Sequence, residues 1–289
     1  MVGYRPRRSV LYMPGANARA LEKAKALECD AVIFDLEDAV AVDAKQTARR
    51  QVVEALEQGG YGRRELVVRV NGLNTQWGAA DVDAIARLGV DALLFPKVES
   101  AVQVNDIVAA LDTAGGGEVP LWLMIETPLG VLDVRAVAMS SSRVQCLVMG
   151  TSDLVKELRS RHTESRSNLD YALQHCVMVA RSADLDILDG VHLDFRNLDS
   201  FRVACAQGRD IGFDGKTLIH PSQIDIANQV FGYGADEAEH ARAVIGVWRE
   251  AQAQAKGVAV LDGQLIENLH VAEAERVLAF CEWLTSREG

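Results

Sequence analysis

The sequence has no long hydrophobic run. No window approaches the roughly 18 consecutive apolar residues that a membrane-spanning helix needs. Basic residues stand near the N-terminus, but the apolar run behind them is only four residues long before Pro14, which is too short for the core of a signal peptide. From these absences we predict a cytoplasmic protein that does not bind membranes.

Positive charge is also in short supply. The chain has 30 Lys and Arg against 41 Asp and Glu, which gives a formal net charge of -11. Proteins that bind the phosphate backbone of nucleic acids depend mainly on Lys and Arg, so we expect no nucleic-acid partner. A local basic pocket for an anionic ligand is still compatible with this charge balance.

The five cysteines lack the spacing of a metal site, because the chain has no CxxC pair and no histidine at metal spacing beside them. Their odd number and scattered positions also indicate no disulfide framework. We expect reduced core thiols at positions 29, 146, 176, 205 and 281.

The rest of the composition supports a full globular core. Of the 289 residues, 49% are hydrophobic and 25% are charged. This length fits either one large α/β domain or a domain with an extension.

Short apolar runs alternate with helix-like stretches along the chain. Val, Ile and Leu dominate the runs, which is typical of strands buried on both faces of a parallel sheet. The runs lie at residues 8–15, 30–40, 65–72, 91–100, 121–130, 144–153, 185–195 and 210–223. Helical spacing of apolar residues occurs at 17–28, 45–58, 77–89, 100–117 and 168–185. This alternation predicts a (β/α)8 barrel, with a doubly wound open sheet as the alternative.

The pattern changes near residue 221. Beyond it lie helical stretches at 222–234, 236–257 and 270–286, with a strand-like segment at 258–268. We therefore predict a catalytic barrel over residues 1–221 and a C-terminal helical extension over residues 222–289.

Polar side chains concentrate at the C-terminal ends of the predicted strands, where barrel enzymes carry their chemistry. The set comprises Asp35, Glu37, Asp38, Arg69, Asn71, Lys97, Glu99, Glu126, Asp153, His192, Asp194, Lys216 and His220. Several acids facing one another repel unless a cation neutralises them. Carboxylates without a Cys and His cluster favour Mg2+ or Mn2+ over zinc.

Glu126 and Asp153 form the best pair of candidate metal ligands. They end adjacent strands, so both carboxylates can reach one ion, and Mg2+ is usually held by two carboxylates plus water and substrate oxygens. The alternative for Asp153 is a structural acid at a helix N-terminus. Glu126 also raises a question, because it follows the apolar run 121–125 and a buried carboxylate needs a partner.

The string GTSD at 150–153 offers a second binding feature. Gly150 permits close backbone approach, and the N–H groups of Thr151 and Ser152 can face an anion at a helix start. The histidines at 192 and 220 and Lys216 are expected to be structural hydrogen-bonding groups.

Two basic residues at strand ends each have two interpretations. Arg69 is suited to clamp a substrate carboxylate, or it forms a structural ion pair with Glu37 or Asp38. Lys97 is a candidate Schiff-base lysine, or it is a barrel lysine paired with a neighbouring acid.

Longer motifs run along nearly the whole chain. They read RSVLYMPGANARALEKA, DAVIFDLEDAV, RVNGLNTQWGAADVDAI, FPKVES, MIETPLGV, MGTSDLVKEL, DGVHLDFRNLD and GFDGKTLIHPSQI. With these motifs the chain resembles the citrate lyase beta subunit-like proteins of the HpcH/HpaI aldolase superfamily, which include relatives of malyl-CoA and citramalyl-CoA lyases.

That resemblance implies a (β/α)8 barrel, assembled as a homotrimer or a dimer of trimers, that uses Mg2+, with Mn2+ as the alternative ion. Such proteins cleave or form a carbon-carbon bond in a 3-hydroxyacyl thioester, with acetyl- or propionyl-CoA and a 2-oxo acid as the cleavage products. Typical substrates are citryl-acyl-carrier protein, malyl-CoA, β-methylmalyl-CoA and citramalyl-CoA.

The same resemblance implies roles for individual residues. Glu126 and Asp153 match the metal ligands, Arg69 matches the substrate contact, and the backbone of residues 150–153 matches the segment near the 2-oxo acid. Arg69 and Glu126 are then catalytic. Around this set the resemblance places Glu37 and Asp38.

The chain departs from those lyases at one position. They carry an Asp in an MID string near the C-terminus, which comes from a neighbouring subunit and acts in catalysis. Here the string is LIE, so the position holds Glu267. The extra methylene moves the carboxylate by about 1 Å or more, and a misplacement of that order costs roughly a hundredfold in rate. Asp262 is a substitute candidate, unless it only forms a turn with Gly263.

Two basic residues on the first predicted helix, Arg19 and Lys23, are candidates for contacts with the phosphates of CoA. The alternative for both is a solvated helix face.

Several functions therefore remain open. The first is a free-standing Mg2+-dependent acyl-CoA lyase, and the second is a citrate lyase subunit that acts on a carrier-protein thioester. The third is a Schiff-base aldolase that uses Lys97, and the fourth is a binding protein that lost turnover through the change at Glu267. A thioesterase or malate synthase-like reaction is compatible with the same enolate chemistry.

Overall fold

Eight parallel strands close into a barrel. The computed structural model describes residues 5–288, with side chains described through residue 285. The strands are β1 Ser9–Pro14, β2 Ala31–Asp35, β3 Glu65–Arg69, β4 Ala92–Phe95, β5 Leu121–Ile125, β6 Val144–Met149, β7 Asp186–Asp189 and β8 Gly215–Leu218. They pair in chain order, and β8 returns to pair with β1. The (β/α)8 prediction is confirmed, and the open-sheet alternative is wrong.

Helices connect the strands around the outside of the barrel. They are α1 Ala18–Ala24, α2 Lys45–Gln58, α3 Gly78–Ile85, α4 Ala101–Thr113, α5 Pro128–Leu132, α6 Val134–Ala138, α7 Thr151–Glu157, α8 Asp170–Ser182, α9 Leu198–Ile211 and α10 Ile224–Val230. Asn17 caps α1 by accepting a hydrogen bond from the N–H of Ala20, and α2 ends at Gly59, whose φ of 65° suits glycine. Within residues 5–288, no helix combines the length and apolarity needed to cross a membrane.

Side chains alternate between two cores along each strand, as the period of a β-strand requires. One core fills the barrel. Tyr12 is half-buried and packs against this core. Its buried members are Val10, Ala31, Ile33, Val67, Ala92, Leu94, Trp122, Met124, Cys146, Val148 and Leu188. The larger core lies between the barrel and the helices. This alternation decides which polar residues face the mouth, meaning the end of the barrel where the strands terminate.

The compact barrel unit runs from Arg7 to Phe231. Its last helix, α10, contacts α9, β1 and β8, and buries Ile224 and Ala227 in the core between barrel and helices. The barrel unit therefore extends past the predicted boundary at residue 221 and includes α10, because the apolar face of α10 completes the shell of the barrel.

A second compact unit begins at Gly232. It contains α11 Ala235–Ala253, the antiparallel strands β9 Ala259–Leu261 and β10 Gln264–Ile266, and α12 Asn268–Glu288. Its core lies around Val244, Trp248 and Ile266. Asp262 and Gly263 connect the two strands with φ of 51° and 81°, as a two-residue type I′ hairpin turn requires. The turn interpretation of Asp262 is thereby confirmed.

None of the five cysteines, all of which lie within residues 5–288, forms a disulfide, and four of them are buried while Cys281 is half-buried. Burial raises the pKa of Cys29 to about 11 and that of Cys176 to about 12. These thiols therefore stay protonated and act as small core residues.

A buried ion pair closes the end of the barrel opposite the mouth. The guanidinium of Arg7 donates from Nε and Nη2 to the two carboxylate oxygens of Glu65, at 2.8 and 2.7 Å, and it also pairs with Asp186. The Arg7 group lies 4.9 Å from the centre of the Trp122 ring. Because the side chains of Arg7 and Glu65 are only 9% and 4% exposed, each charge depends on the other.

Removing the charge of Glu65 should therefore cost stability. We expect Glu65→Gln to lower the free energy of unfolding by about 3 kcal/mol, because an amide leaves the buried guanidinium undercompensated. Urea denaturation followed by tryptophan fluorescence measures the change. The matched control is Glu22→Gln, whose carboxylate pairs with Lys25 at 69% exposure and should contribute less than about 1 kcal/mol. Equal losses in both variants would refute the structural role assigned to the Arg7 and Glu65 pair.

Candidate active site

Three strand ends, those of β2, β3 and β5, bring charged side chains to the mouth of the barrel. Asp35 is the last residue of β2 and is the register partner of Arg69, the last residue of β3. Glu126 follows β5 directly. All three are at most 7% exposed. They continue the inward-facing rows of β2, β3 and β5, which include Ile33 and Met124.

Arg69 is held by a fork of two hydrogen bonds to Asp35. Its Nε and Nη2 donate to the two carboxylate oxygens at 2.7 and 2.5 Å, while Nη1 lies 3.2 Å from Oε2 of Glu37 and 3.9 Å from Oδ2 of Asp38. Burial opposes the charge, but Asp35 and Glu37 outweigh burial and hold the pKa of Arg69 well above its usual value. The guanidinium is a permanent cation with a fixed orientation.

Glu126 has a different partner. Its Oε1 accepts a hydrogen bond from the backbone N–H of Lys97 at 2.8 Å. Lys97 has φ of 51°, a left-handed conformation that costs a non-glycine residue roughly 1–2 kcal/mol. The other side of Glu126 lies against Gly150, where an added Cβ would approach Oε2 to 2.3 Å. Glycine at 150 is therefore a steric requirement for the carboxylate at 126.

The environment of Glu126 raises its proton affinity. Burial raises the pKa of Glu126 to about 7, against the opposing effects of Lys97 and Arg69, and Asp153 raises it further. The contribution from Asp153 shows that the two carboxylates repel each other electrostatically. A cation between them would relieve that repulsion.

The ammonium group of Lys97 joins two acids at the mouth. Its Nζ lies 3.1 Å from Oε1 of Glu37 and 3.6 Å from Oδ2 of Asp153. Burial opposes this charge, but Glu37 and Glu126 outweigh burial and raise the pKa of Lys97 above its usual value. A Schiff-base lysine needs a neutral amine, so this environment disfavours the Schiff-base role of Lys97.

The start of α7 presents Asp153 to the mouth. Gly150 is the residue before the helix, and Asp153 lies in its first turn with a side chain 23% exposed. The Oγ of Ser152 is buried and has no hydrogen-bond partner within the described part of the chain. A buried hydroxyl of this kind can still donate to a ligand.

The donor set at the mouth fits a hard divalent cation. Glu126 and Asp153 supply carboxylate oxygens, and residues 5–288 contain no cluster of three or more His, Cys, Asp or Glu suited to a metal. Mg2+ usually takes one or two carboxylates and completes its shell with water and substrate oxygens, whereas zinc prefers nitrogen and sulfur. The residues present therefore fit Mg2+ and do not fit a structural zinc ion.

Comparison with known proteins agrees with this geometry. The family described as HpcH/HpaI aldolase/citrate lyase matches residues 8–221. The chain belongs to this family.

Similar proteins with named activities cover nearly the whole chain. A (3S)-malyl-CoA thioesterase from Cereibacter sphaeroides strain ATCC 17025 is 48% identical over 277 residues, which cover 96% of this chain and 95% of that protein. The citrate lyase subunit beta of Escherichia coli K12 is 36% identical over 290 residues, or 98% and 96% of the two chains. A solved structure of the citrate lyase beta subunit from Mycobacterium tuberculosis, complexed with oxaloacetate and magnesium, has a TM-score of 0.68 at 26% identity and covers 78% and 97% of the two chains.

The structure brings most of the predicted site residues together. One connected set of charges contains Arg69, Glu37, Asp38 and Lys97. The ammonium group of Lys97 adds Asp153 to this set, and the backbone N–H of Lys97 binds Glu126. The ion-pair interpretation of Arg69 is confirmed, with Asp35 as an additional and tighter partner. The roles of these residues toward metal and substrate stay predictions.

Lys216 does not belong to this set. It lies within β8, beside Ser9 in the register, so its fully buried side chain is on the outer face of the barrel strands. Its Nζ donates to Oδ2 of Asp189 at 2.6 Å, and Arg166 donates to the same carboxylate at 2.8 Å. Grouping Lys216 with the strand-end residues was wrong, because its position in the strand turns the side chain away from the mouth.

The two histidines have local partners. His192 Nε2 lies 3.0 Å from Oγ of Ser200, and His220 Nδ1 lies 2.8 Å from Oγ of Ser222. These contacts agree with the structural roles predicted for both residues.

Three candidate residues lie outside this charge network. Arg19 and Lys23 are exposed on α1. Glu267 is exposed in the second unit, where it precedes α12 and its backbone N–H donates to His270 Nδ1 at 3.0 Å. Their predicted roles toward CoA and in catalysis stay predictions.

Asp35 was predicted only as one of the strand-end acids, with no role of its own, and no role was predicted for Tyr12. Asp35 orients Arg69, and the Tyr12 ring centre lies 4.8 Å from the Arg69 guanidinium carbon. The available signal was the period of two along β1 and β2, which places Tyr12 and Asp35 on the same inward rows as Val10 and Ile33.

The raised pKa of Glu126 predicts a pH-dependent stability in metal-free protein. Between its unfolded value near 4.5 and its folded value of about 7, the folded chain binds a proton that the unfolded chain has released. Stability from this group is therefore present at low pH and is lost as the pH rises to about 7, by about 3 kcal/mol in total.

Glu126→Gln removes this titration. With EDTA present, we expect the unfolding free energy of the wild type to fall steadily relative to that of the variant from pH 5 to pH 7. The difference between the two proteins should level off above pH 8. Urea denaturation at each pH measures it. Parallel curves for the two proteins would show that Glu126 titrates normally.

Proposed function

We propose that this chain is a Mg2+-dependent enzyme that hydrolyses the thioester of a malyl-CoA-type 3-hydroxyacyl-CoA. The observation that carries the proposal is the convergence of Arg69, Glu126 and Asp153 at the mouth of the barrel. The choice of hydrolysis is supported by the 47–48% identity to (3S)-malyl-CoA thioesterases over 96% of the chain.

The proposed metal site consists of Glu126 and Asp153. Mg2+, or Mn2+ in its place, would supply a Lewis acid for the substrate oxygens. Glu126 has to be ionised to act as a ligand, and its pKa of about 7 places that ionisation near physiological pH. The unpartnered hydroxyl of Ser152 and the N–H groups of Thr151 and Ser152 are proposed contacts for the carboxylate of the acyl group, with Gly150 permitting its close approach.

Arg69 is the proposed electrostatic catalyst. In hydrolysis a water oxygen adds to the thioester carbonyl carbon, the carbonyl oxygen becomes negative, the C–S bond breaks and the thiolate leaves as CoA after it takes a proton. A fixed cation beside the carbonyl oxygen stabilises that charge without rearrangement. Asp35 and Glu37 hold the guanidinium in place for this role.

Glu267 is the proposed base. It would take the proton of the attacking water, delivered by a neighbouring subunit of a homotrimer. Arg19 and Lys23 are the proposed contacts for the CoA phosphates, and their exposure on α1 is compatible with that role.

Carbon-carbon cleavage is the second candidate. The 36% identity to the citrate lyase subunit beta favours this reaction. With this relative in view, a carrier-protein thioester is an alternative to a CoA thioester as the substrate. In this reaction a base takes the proton of the 3-hydroxyl, the bond to the neighbouring carbon breaks, and a 2-oxo acid and an acetyl thioester enolate form. The same Arg69 would stabilise the enolate oxygen, while Glu in place of Asp at 267 departs from the pattern of the malyl-CoA and citramalyl-CoA lyases.

Product analysis separates the two reactions. With malyl-CoA and Mg2+, we expect free CoA thiol and malate without glyoxylate, and we expect EDTA to abolish the release. Glyoxylate with acetyl-CoA and no free thiol would instead establish the lyase. Asp153→Asn should lower kcat/KM at least about a hundredfold, while Asp236→Asn, the same change in the first turn of α11, should have little effect. Release that survives EDTA and Asp153→Asn would contradict the proposed metal site.

The length of the side chain at 267 should influence the choice of reaction. We expect Glu267→Ala to reduce thiol release about a hundredfold, because the base is lost. Glu267→Asp should raise the ratio of glyoxylate to free thiol, because its carboxylate is withdrawn by about 1 Å from the attacking water. Simultaneous thiol and glyoxylate assays measure this ratio, and an unchanged rate in Glu267→Ala would remove Glu267 from the mechanism.

A further inference from the structure

Tyr12 carries a hydroxyl group without a strong acceptor. Its OH approaches the Sδ atom of Met124 at 3.9 Å, which is the only hydrogen-bond contact of this hydroxyl within residues 5–288. A thioether is a weak acceptor, and buried tyrosines usually find an oxygen. Tyr61 shows the ordinary arrangement in this chain, because its OH donates to the backbone carbonyl of Leu21 at 3.2 Å.

Arg69 directs a donor at the same sulfur atom. Its Nη1 lies 3.7 Å from Sδ of Met124, and the guanidinium carbon lies 4.8 Å from the Tyr12 ring centre. Two strong donors from β1 and β3 therefore converge on one weak acceptor at the floor of the mouth, and Nη1 also lies 3.2 Å from Oε2 of Glu37 at its rim. Convergence of this kind is the arrangement that binds an oxygen carrying negative charge.

The carboxylate of Asp35 does not serve as the acceptor for Tyr12. The two oxygens of Asp35 already accept from Nε and Nη2 of Arg69 and from the backbone N–H groups of Glu37 and Ala39. Tyr12 is half-buried, and its hydroxyl hydrogen can take either of two positions in the plane of the ring. It can turn from the sulfur toward a ligand in the mouth without a change in the ring.

We propose that the Tyr12 hydroxyl and Nη1 of Arg69 form a two-donor oxyanion site for the carbonyl oxygen of the acyl thioester. This inference rests on the proposed function, since it assigns the thioester end of the substrate to the floor of the barrel below Arg69. It makes Tyr12 a catalytic residue common to hydrolysis and carbon-carbon cleavage, because both reactions place negative charge on that oxygen.

The charge state of Tyr12 is compatible with this role. Burial raises the pKa of Tyr12 above its usual value, and Asp35 and Glu126 raise it against the opposing effect of Arg69. The phenol therefore stays protonated and remains a donor throughout the physiological pH range.

Tyr12→Phe is the direct test, because it keeps the ring beneath Arg69 and removes only the hydroxyl. We expect kcat for malyl-CoA to fall about a hundredfold with KM changed less than about threefold, the signature of a donor used mainly in the transition state. The matched control is Tyr61→Phe, which removes a hydroxyl that serves the fold and should lower the melting temperature while leaving kcat unchanged.

A binding measurement tests the site without turnover. Carboxymethyl-CoA carries a carboxylate one methylene beyond its sulfur, close to the position of the thioester carbonyl oxygen, so calorimetry with Mg2+ reports the affinity for a charged oxygen. We expect Tyr12→Phe to weaken this affinity about tenfold and to leave the affinity for CoA itself unchanged. The inference alone is overturned if the wild type binds carboxymethyl-CoA or turns over malyl-CoA and Tyr12→Phe equals the wild type in both measurements. If the wild type neither binds carboxymethyl-CoA nor turns over malyl-CoA, both this inference and the proposed function are overturned.

Discussion

The fork between Arg69 and Asp35 is the interaction on which the mouth of the barrel depends. Both side chains face inward from adjacent strands and are almost completely buried, so neither charge is stable there without the other. The fork occupies Nε and Nη2 of the guanidinium and leaves Nη1 directed toward Glu37 and the floor of the mouth. Asp35 also orders the following loop by accepting the N–H groups of Glu37 and Ala39. One ion pair therefore fixes both a cation and the loop that surrounds it.

Glu126 is stabilised in the opposite way. Its carboxylate receives one backbone N–H from Lys97 and no direct side-chain cation among the described ion pairs, so burial raises its pKa to about 7. The ammonium of Lys97 instead serves Glu37 and Asp153. The result is a pair of carboxylates whose repulsion is only partly compensated by the protein. A site of this kind has affinity for an external cation because the cation supplies the missing compensation.

The fold was largely accessible from the sequence. Strands buried on both faces read as short Val, Ile and Leu runs, and polar side chains at their ends marked Arg69, Glu126 and Asp153 correctly as neighbours of one mouth. Lys216 was assigned to the wrong side, because the same kind of run does not reveal at which residue a strand ends. Its side chain belongs to a buried cluster with Asp189 and Arg166, and no spacing in the sequence connects residues so far apart.

The sequence by itself determined the alternation of strands and helices, the family motifs and the residue types available at the strand ends. Periodicity and composition act locally, so they are readable along the chain. Only the tertiary structure decided which partners these residues acquire: the backbone N–H of Lys97 for Glu126, the fork from Asp35 for Arg69, and the close approach of Gly150. It also decided that α10 completes the barrel and that Tyr12 and Arg69 converge on Met124. These outcomes depend on the register and closure of the barrel, because closure alone brings distant strand ends within hydrogen-bonding distance.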